Sequence, residues 1–240
     1  MVTQQAIGRW FDRTYSEKGL TYLRPPEFYS VFMEYLAIKP GARLLDIGCG
    51  PGLLLNQATA RGAFAVGIDV SGSGLSMVAA AAPDAHCSLC NAEALCWPNA
   101  FFDCITCIGV FEHILQPERA LDEMRRVTRP DGRICIMVPN SLTLRWQFES
   151  KVLRIHDEDS NERASTFATW RALFLRNGFG IDSVYWDEWP GYVRRLRTSG
   201  GRCGTFAAYG SRKRHLLPLQ LSNQFVFILR SEPGRPHVKM

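Results

Sequence analysis

The rhythm of this sequence predicts an α/β fold: a mostly parallel sheet with helices on both faces. Two observations carry that expectation. From about residue 41 onward, short apolar runs of strand length alternate with stretches of helical periodicity, the pattern of successive βαβ units. The apolar runs are also nearly continuous rather than alternating, as strands are when helices cover both sides.

Residues 1–40 read as a mixed, helical lead ending at the turn Lys39-Pro40-Gly41. Arg43–Ile47 is a first strand, and Leu53–Arg61 a helix stopped by Gly62. Phe64–Val70 is a second strand. Ser71–Ala82 is a helix of small residues, capped by Ser71 or Ser73 and followed by Pro83. His86–Cys90 and Phe102–Ile108 are the third and fourth strands. Pro117–Thr128 is an amphipathic helix with proline in its first turn, and Arg133–Val138 is the fifth strand. A helix over Ser165–Asn177, stopped by Gly178, leads into two last strands, Gly180–Trp186 and Gln224–Arg230. About 35 residues between those strands break the rhythm, and irregular stretches of that length are usually functional or disordered. With 240 residues and no internal repeat, the expectation is a single domain over 1–240: the lead 1–40, a core 41–140, and two substrate-side caps, 141–164 and 188–217.

Composition sets the class. Hydrophobic residues make up 46% of the chain and charged residues 21%, an ordinary globular balance. No apolar run reaches the roughly 18–20 residues of a membrane span, and no basic, then apolar leader opens the chain. The expected location is therefore cytoplasmic, with reduced cysteines. The net charge of +5 hides an asymmetry: residues 191–240 hold ten Lys/Arg against the single acid Glu232, a local +9, which leaves −4 for residues 1–190. Such a segment reads either as a solvated basic face or as a contact for an anionic partner.

The chemistry concentrates where a doubly wound sheet binds ligands, outside the carboxyl ends of its strands. The first strand runs into Asp46-Ile47-Gly48-Cys49-Gly50-Pro51-Gly52, and a helix follows. Glycines let the backbone turn sharply and approach a ligand, and the helix start offers free N–H groups. The G-x-G-x-G spacing departs from the G-x-G-x-x-G of dinucleotide sites. The second strand ends at Asp69-Val70, where a carboxylate is placed to accept a ribose diol. The third ends at Asn91-Ala92-Glu93, beside the place of a base.

Leu44–Gly52, Gly67–Ser71, Asn91–Leu95 and Phe102–Ile114 together resemble the successive motifs of class I S-adenosylmethionine-dependent methyltransferases. They are most similar to the small-molecule branch that includes the ubiquinone and menaquinone biosynthesis enzymes. Arg126–Gly132 resembles that branch's turn before strand five, with Asp131 where glycine is usual. The resemblance covers about residues 35–140. It implies a Rossmann-like seven-stranded sheet with an antiparallel last strand and S-adenosyl-L-methionine as cofactor. It also implies a cofactor-binding set of Asp46, Gly48, Cys49, Gly50, Gly52, Asp69, Val70, Asn91, Ala92, Glu93 and Ile108. In that set Asp46 and the glycine backbone hold the methionine end, and Asp69 takes the ribose diol. Asn91 accepts from the adenine amino group, the Ala92 N–H meets a ring nitrogen, and the Ile108 carbonyl receives the ammonium.

The acceptor is less legible. His113, beside Glu112 after strand four, is the candidate general base, because its pKa lies near neutrality. A Glu-His pair with a pocket-shaping role is the alternative reading. Tyr15 reads either as folding over the cofactor or as a packing aromatic. His156-Asp157-Glu158-Asp159 reads as a solvated acidic loop, with hard-cation binding as the alternative. Cys87-x-x-Cys90 and Cys104-x-x-Cys107 mimic a zinc pattern, but residues three apart on a strand point to opposite faces, so no metal is expected. Trp189, Pro190, Tyr192, Phe206 and Tyr209 among Arg194, Arg195, Arg197 and Arg202 suit a flat or apolar acceptor bearing negative charge. The expectation is methyl transfer, at oxygen, to a small-molecule or lipid-linked acceptor, with peripheral contact to an anionic membrane open. RNA methylation and a non-catalytic SAM-binding regulator remain as alternatives. Nucleic acid is the weaker of the two partner classes, and the sequence is silent on oligomeric state.

Overall fold

The computed structural model describes residues 2–21, 23–143, 146–147, 160–187 and 223–232. Seven strands form one sheet: β1 Arg43–Ile47, β2 Phe64–Asp69, β3 His86–Leu89, β4 Phe102–Ile108, β5 Thr128–Pro139, β6 Phe179–Asp187 and β7 Gln224–Ser231. Their order is β3-β2-β1-β4-β5-β7-β6. The first five pair in parallel, while β7 runs antiparallel to both β5 and β6. The chain winds outward from β1 in one direction to β3, then returns to the other side of β1 with β4. That reversal opens a crevice at the carboxyl ends of β1 and β4. In register Ile47 stands beside Cys107, so the loop after Ile47 and the turn after Ile108 are neighbours.

The helices around the sheet are α1 Gln4–Lys18, α2 Ser30–Tyr35, α3 Leu53–Thr59, α4 Gly72–Ser76, α5 Val78–Ala81, α6 Pro117–Val127 and α7 Phe167–Arg176. On one face Leu45, Ile47, Ile105, Cys107, Ile134 and Ile136 pack with Ala120, Leu121, Met124 and Val127 of α6 and with Trp170 and Phe174 of α7. On the other, Leu44, Cys104, Cys135 and Met137 pack with Phe32 of α2 and Leu55 of α3. Neighbours such as Leu44 and Leu45 are both fully buried, one on each face. Burying a leucine contributes about 1.5–3 kcal/mol, which is why these strands show no polar alternation. The same parity separates the cysteines: Cys104 packs on one face and Cys107 on the other, and Cys87 and Cys90 are divided likewise.

Two element boundaries differ from expectation. The helix expected over Ser71–Ala82 is two short pieces, broken at Met77. Ser71 does cap the first, its side chain accepting from the Gly74 N–H. Glycines and serines favour helix weakly, and a Cβ at Gly74 would stand 2.9 Å from the Tyr15 ring, so close packing rather than helix length governs here. Strand β5 begins at Thr128 rather than Arg133, because Thr128 pairs with Phe102 before the Arg129–Gly132 irregularity.

The N-terminal lead is fastened to the sheet at two points. The Asp12 carboxylate of α1 accepts from the Ser71 hydroxyl at 2.7 Å and the Ser73 N–H at 2.9 Å. Burial pushes that carboxyl up, but the hydrogen bonds from Ser73 and Ser71 outweigh it and hold it below its ordinary value. Arg24 forms a buried ion pair with Asp187 of β6 at 2.7 Å and lies over the rings of Tyr29 and Phe32. Among the described residues no helix is long and apolar enough to cross a membrane. The cap 188–217, most of the basic segment 191–240 and the cluster His156–Asp159 lie outside the described residues, as does much of the cap 141–164.

Candidate active site

A cavity of about 350 Å³ occupies the crevice, within the roughly 300–1,000 Å³ of small-molecule sites. Its floor comes from the strand ends. Asp46, Gly48 and Cys49 enter after β1, Asp69 and Val70 after β2, Asn91 and Ala92 after β3, and Ile108 and His113 after β4. The structure thus gathers nine of the twelve sequence-derived residues around one space. Gly50, Gly52 and Glu93 stand behind it. Glu93 turns away: its carboxylate accepts the Gln116 N–H at 3.0 Å and its carbonyl accepts from Arg119, which ties this loop to α6.

The glycine loop is tight for a reason other than ligand approach alone. Gly50 has φ +49°, and a Cβ there would lie 2.3 Å from the Tyr15 hydroxyl. Its N–H donates to Asp69 Oδ2 at 2.7 Å, while the Ser71 N–H donates to Oδ1 at 2.8 Å. Asp69 therefore braces two loops, each of its oxygens holding one backbone N–H. A carboxylate offers about four acceptor positions, so capacity for a ligand's hydroxyls is left over. Asn91 Oδ1 similarly accepts the Glu93 N–H at 3.0 Å, shaping its own turn.

The floor is acidic. Burial pushes the Asp46 carboxyl up to about 8, against a lowering hydrogen bond from the Thr106 hydroxyl at 2.7 Å. Burial also raises Asp69, with backbone donors opposing it. At the other end of the cavity, beside His113, Glu112 is buried and pushed up to about 8 for the same reason. A buried carboxyl that is costly to ionise alone becomes favourable once a cationic ligand arrives beside it. A sulfonium that also carries an ammonium is such a ligand, and with the glycine loop and the Asp69 brace the residues present fit S-adenosylmethionine.

The roof comes from a part of the chain to which only Tyr15 had drawn notice. Ile7, Trp10, Phe11 and Tyr15 of α1 all line the cavity. Gly8 lets α1 lie close, since a Cβ there would stand 2.8 Å from the Val70 carbonyl. Spacings of three, four and eight place these side chains on one helix face. That apolar stripe was visible in the sequence, but nothing in it said whether the stripe covers core or ligand. Trp10 and Phe11 close around His113, with ring centroids 6.5 Å away and stacked, and 5.2 Å away and edge-on. His113 Nδ1 lies 2.7 Å from the Ser160 carbonyl. A carbonyl only accepts, so Nδ1 carries the hydrogen. Arg24 and Gln224 complete the wall near Met137.

Residues 45–136 match a family model described as a methyltransferase domain. A ubiquinone biosynthesis O-methyltransferase from Paracidovorax citrulli is 30% identical over 130 residues, covering 52% of this chain and 54% of that protein. A ubiquinone/menaquinone biosynthesis C-methyltransferase from Ralstonia pickettii is 36% identical over 109 residues, 42% of this chain and 44% of that protein. The chain thus spans about half the length of these curated relatives. A Burkholderia thailandensis 1,6-didemethyltoxoflavin-N1-methyltransferase, crystallised with its acceptor and S-adenosylhomocysteine, superposes with a TM-score of 0.65 at 14% identity. That match covers 95% of this chain and 88% of the other, and at such identity it speaks for the fold. In its motifs, its strand order and these matches, the chain resembles the class I S-adenosylmethionine-dependent methyltransferases, with a methyltransferase domain matched over residues 45–136.

Proposed function

We propose that this chain transfers a methyl group to the oxygen of a small-molecule or lipid-linked acceptor. One observation carries the reading: the acidic, glycine-looped floor and the aromatic roof around His113 share one cavity. When bound, S-adenosylmethionine supplies an electrophilic methyl whose leaving group is a neutral thioether. The protein's work is then alignment and exclusion of water. Asp46 and the Ile108 carbonyl hold the amino-acid end, Asp69 the ribose, and Asn91 with Ala92 the base. Trp10, Phe11 and Tyr15 roof the space and keep water out. His113, tautomer fixed by Ser160, is the group placed to take a proton from an acceptor hydroxyl.

The choice of oxygen is supported by that histidine and by the O-methyltransferase relatives. Names specifying oxygen, carbon and nitrogen among the matched proteins leave the fold neutral on the atom. Calorimetry with S-adenosylmethionine and S-adenosylhomocysteine tests the first half of the proposal, and Asp69→Ala is expected to weaken both by at least about 1.5–3 kcal/mol. Product analysis across phenolic, carboxylic and lipid-linked hydroxyl acceptors tests the second, alongside sedimentation with anionic liposomes. Tight RNA binding that falls steeply with salt, together with RNA methylation, would replace the small-molecule reading.

A further inference from the structure

We propose that Cys90 and Cys96 form a redox-sensitive dithiol, whose oxidation to a disulfide loosens the hold on the cofactor's base. The effect on binding rests on the methyltransferase reading; the crosslink itself does not. The two cysteines bracket Asn91–Leu95, the turn that brings Asn91 and Ala92 to the cavity. Cys90 is half-buried and lines the cavity beside them, while Cys96 is exposed.

The turn folds back so that its two ends meet. Cys90 Sγ lies 3.6 Å from the Asn91 carbonyl and 3.7 Å from the Ala94 carbonyl, so it reaches across the turn to within two residues of Cys96. The Ala94 N–H donates to the Asn91 carbonyl at 3.1 Å, which closes the turn. The Cys96 thiol and N–H both face the Cys90 sulfur. Each end is also held from outside. The Cys90 N–H donates to the Asp69 carbonyl at 3.0 Å. The Leu95 N–H donates to Glu123 Oε2 at 2.7 Å, and Arg126 donates to the carbonyls of Leu95 at 2.9 Å and Trp97 at 2.7 Å. A disulfide tolerates little departure from its geometry, so two cysteines anchored at the ends of one closed turn are poised to form it. Burial, and then the Cys96 thiol beside it, push the Cys90 thiol up, so Cys90 waits as a thiol while the exposed Cys96 meets the oxidant.

The oxidant is hydrogen peroxide. The Cys96 sulfur attacks one peroxide oxygen: an S–O bond forms, the O–O bond breaks, and the second oxygen leaves with the Cys96 thiol proton as water. That step leaves a sulfenic acid on Cys96. The Cys90 sulfur then attacks the Cys96 sulfur: the S–S bond forms, the S–O bond breaks, and hydroxide leaves with the Cys90 proton as a second water. Two thiols are oxidised and one peroxide is reduced, and an added dithiol reverses the change. The disulfide removes the thiol hydrogen from the Asn91 and Ala94 carbonyls and draws the Cys90 sulfur from the cavity wall toward Cys96. Asn91 and Ala92, whose places this turn sets, then meet the base less well.

The test treats the full chain with hydrogen peroxide and maps its disulfides by tandem mass spectrometry of an unreduced digest. S-adenosylhomocysteine is titrated into the reduced, oxidised and re-reduced protein. A Cys90–Cys96 bridge is expected, with affinity lowered by about three- to tenfold and restored on reduction, the scale of one lost hydrogen bond. Cys96→Ser alters an exposed group, so it should fold, bind as the reduced protein does and ignore peroxide. Absence of the bridge, a bridge that leaves affinity unchanged, or an equal peroxide effect in Cys96→Ser overturns the proposal. A chain that forms the bridge yet binds no S-adenosylhomocysteine when reduced keeps the dithiol and strikes the methyltransferase reading, so the two can fail separately.

Discussion

The two ends of the cavity are made of different material. At the floor beneath β1–β3, backbone does the shaping: the loop at Gly48–Gly52 and the N–H groups gathered by Asp69. Beneath α1, side chains from four separate stretches meet: Trp10 and Phe11, Arg24, Glu112 with His113, and Glu162. The first kind of wall is set by local sequence, because a glycine spacing after a strand has few geometries. The second depends on which distant segments the fold brings together, so it is free to vary with the acceptor. Relatives named for oxygen and for carbon methylation match 52% and 42% of this chain.

The largest effect belongs to the floor. Gly50→Val forces a branched side chain into the Tyr15 hydroxyl from a left-handed backbone position. Cofactor binding is expected to fall by well over tenfold, more than about 1.4 kcal/mol, in a protein whose circular dichroism is unchanged. Near-normal affinity would mean that Tyr15 swings away freely and that the floor does not depend on the roof.

A second effect follows from Asp46. With its folded value raised to about 8, it is largely protonated in the empty protein at neutral pH. A cationic ligand draws the value down, so binding releases a proton. Affinity for S-adenosylmethionine is expected to rise with pH between about 5.5 and 7.5, by at most about tenfold per unit, and to flatten in Asp46→Asn. Calorimetry in two buffers of different ionisation enthalpy reads the proton directly. The sign for stability is opposite. A carboxyl whose folded value exceeds its unfolded one contributes stability below its ordinary 3.8 that is lost as pH rises toward 8, so the ligand-free protein should melt lower as pH climbs through that window.

The smallest effect tests how the roof is hinged. Asp12→Ala removes the two hydrogen bonds that join α1 to the start of α4 and should cost about 1 kcal/mol of docking. Faster limited proteolysis within α1, with cofactor affinity lowered only a few-fold, is the expected result. Unchanged proteolysis would place the hold on α1 elsewhere, in its buried apolar face.

The same contrast explains what could be read in advance. Strands such as Arg43–Ile47 and Phe102–Ile108 were legible because short, mostly apolar runs between turn signals have strand length. Asp46, Asp69 and Asn91 were legible because strand ends are where this fold puts chemistry. The break at Met77 was not, and the close approach of Gly74 to the Tyr15 ring of α1 is a tertiary contact with no local signal. Glu93 looked like part of the base pocket by position, yet its side chain answers to the Gln116 N–H of a neighbouring helix. Glu162 carried no local signal at all. Only the tertiary ties of Ser160, Asn161 and Arg163 to the turn at Glu112-His113 bring it to the cavity.

The clasp between Arg24 and Asp187 joins positions 163 residues apart. Contacts of such separation are entropically late in folding, since the intervening chain must be ordered before they repay the cost of closing it. The parallel strands and the glycine loop are complete by residue 139, yet Arg24 lacks its ion-pair partner until Asp187 of β6 has been made. Synthesis in chain order therefore completes the strands beneath the glycine loop before the partner of Arg24 exists.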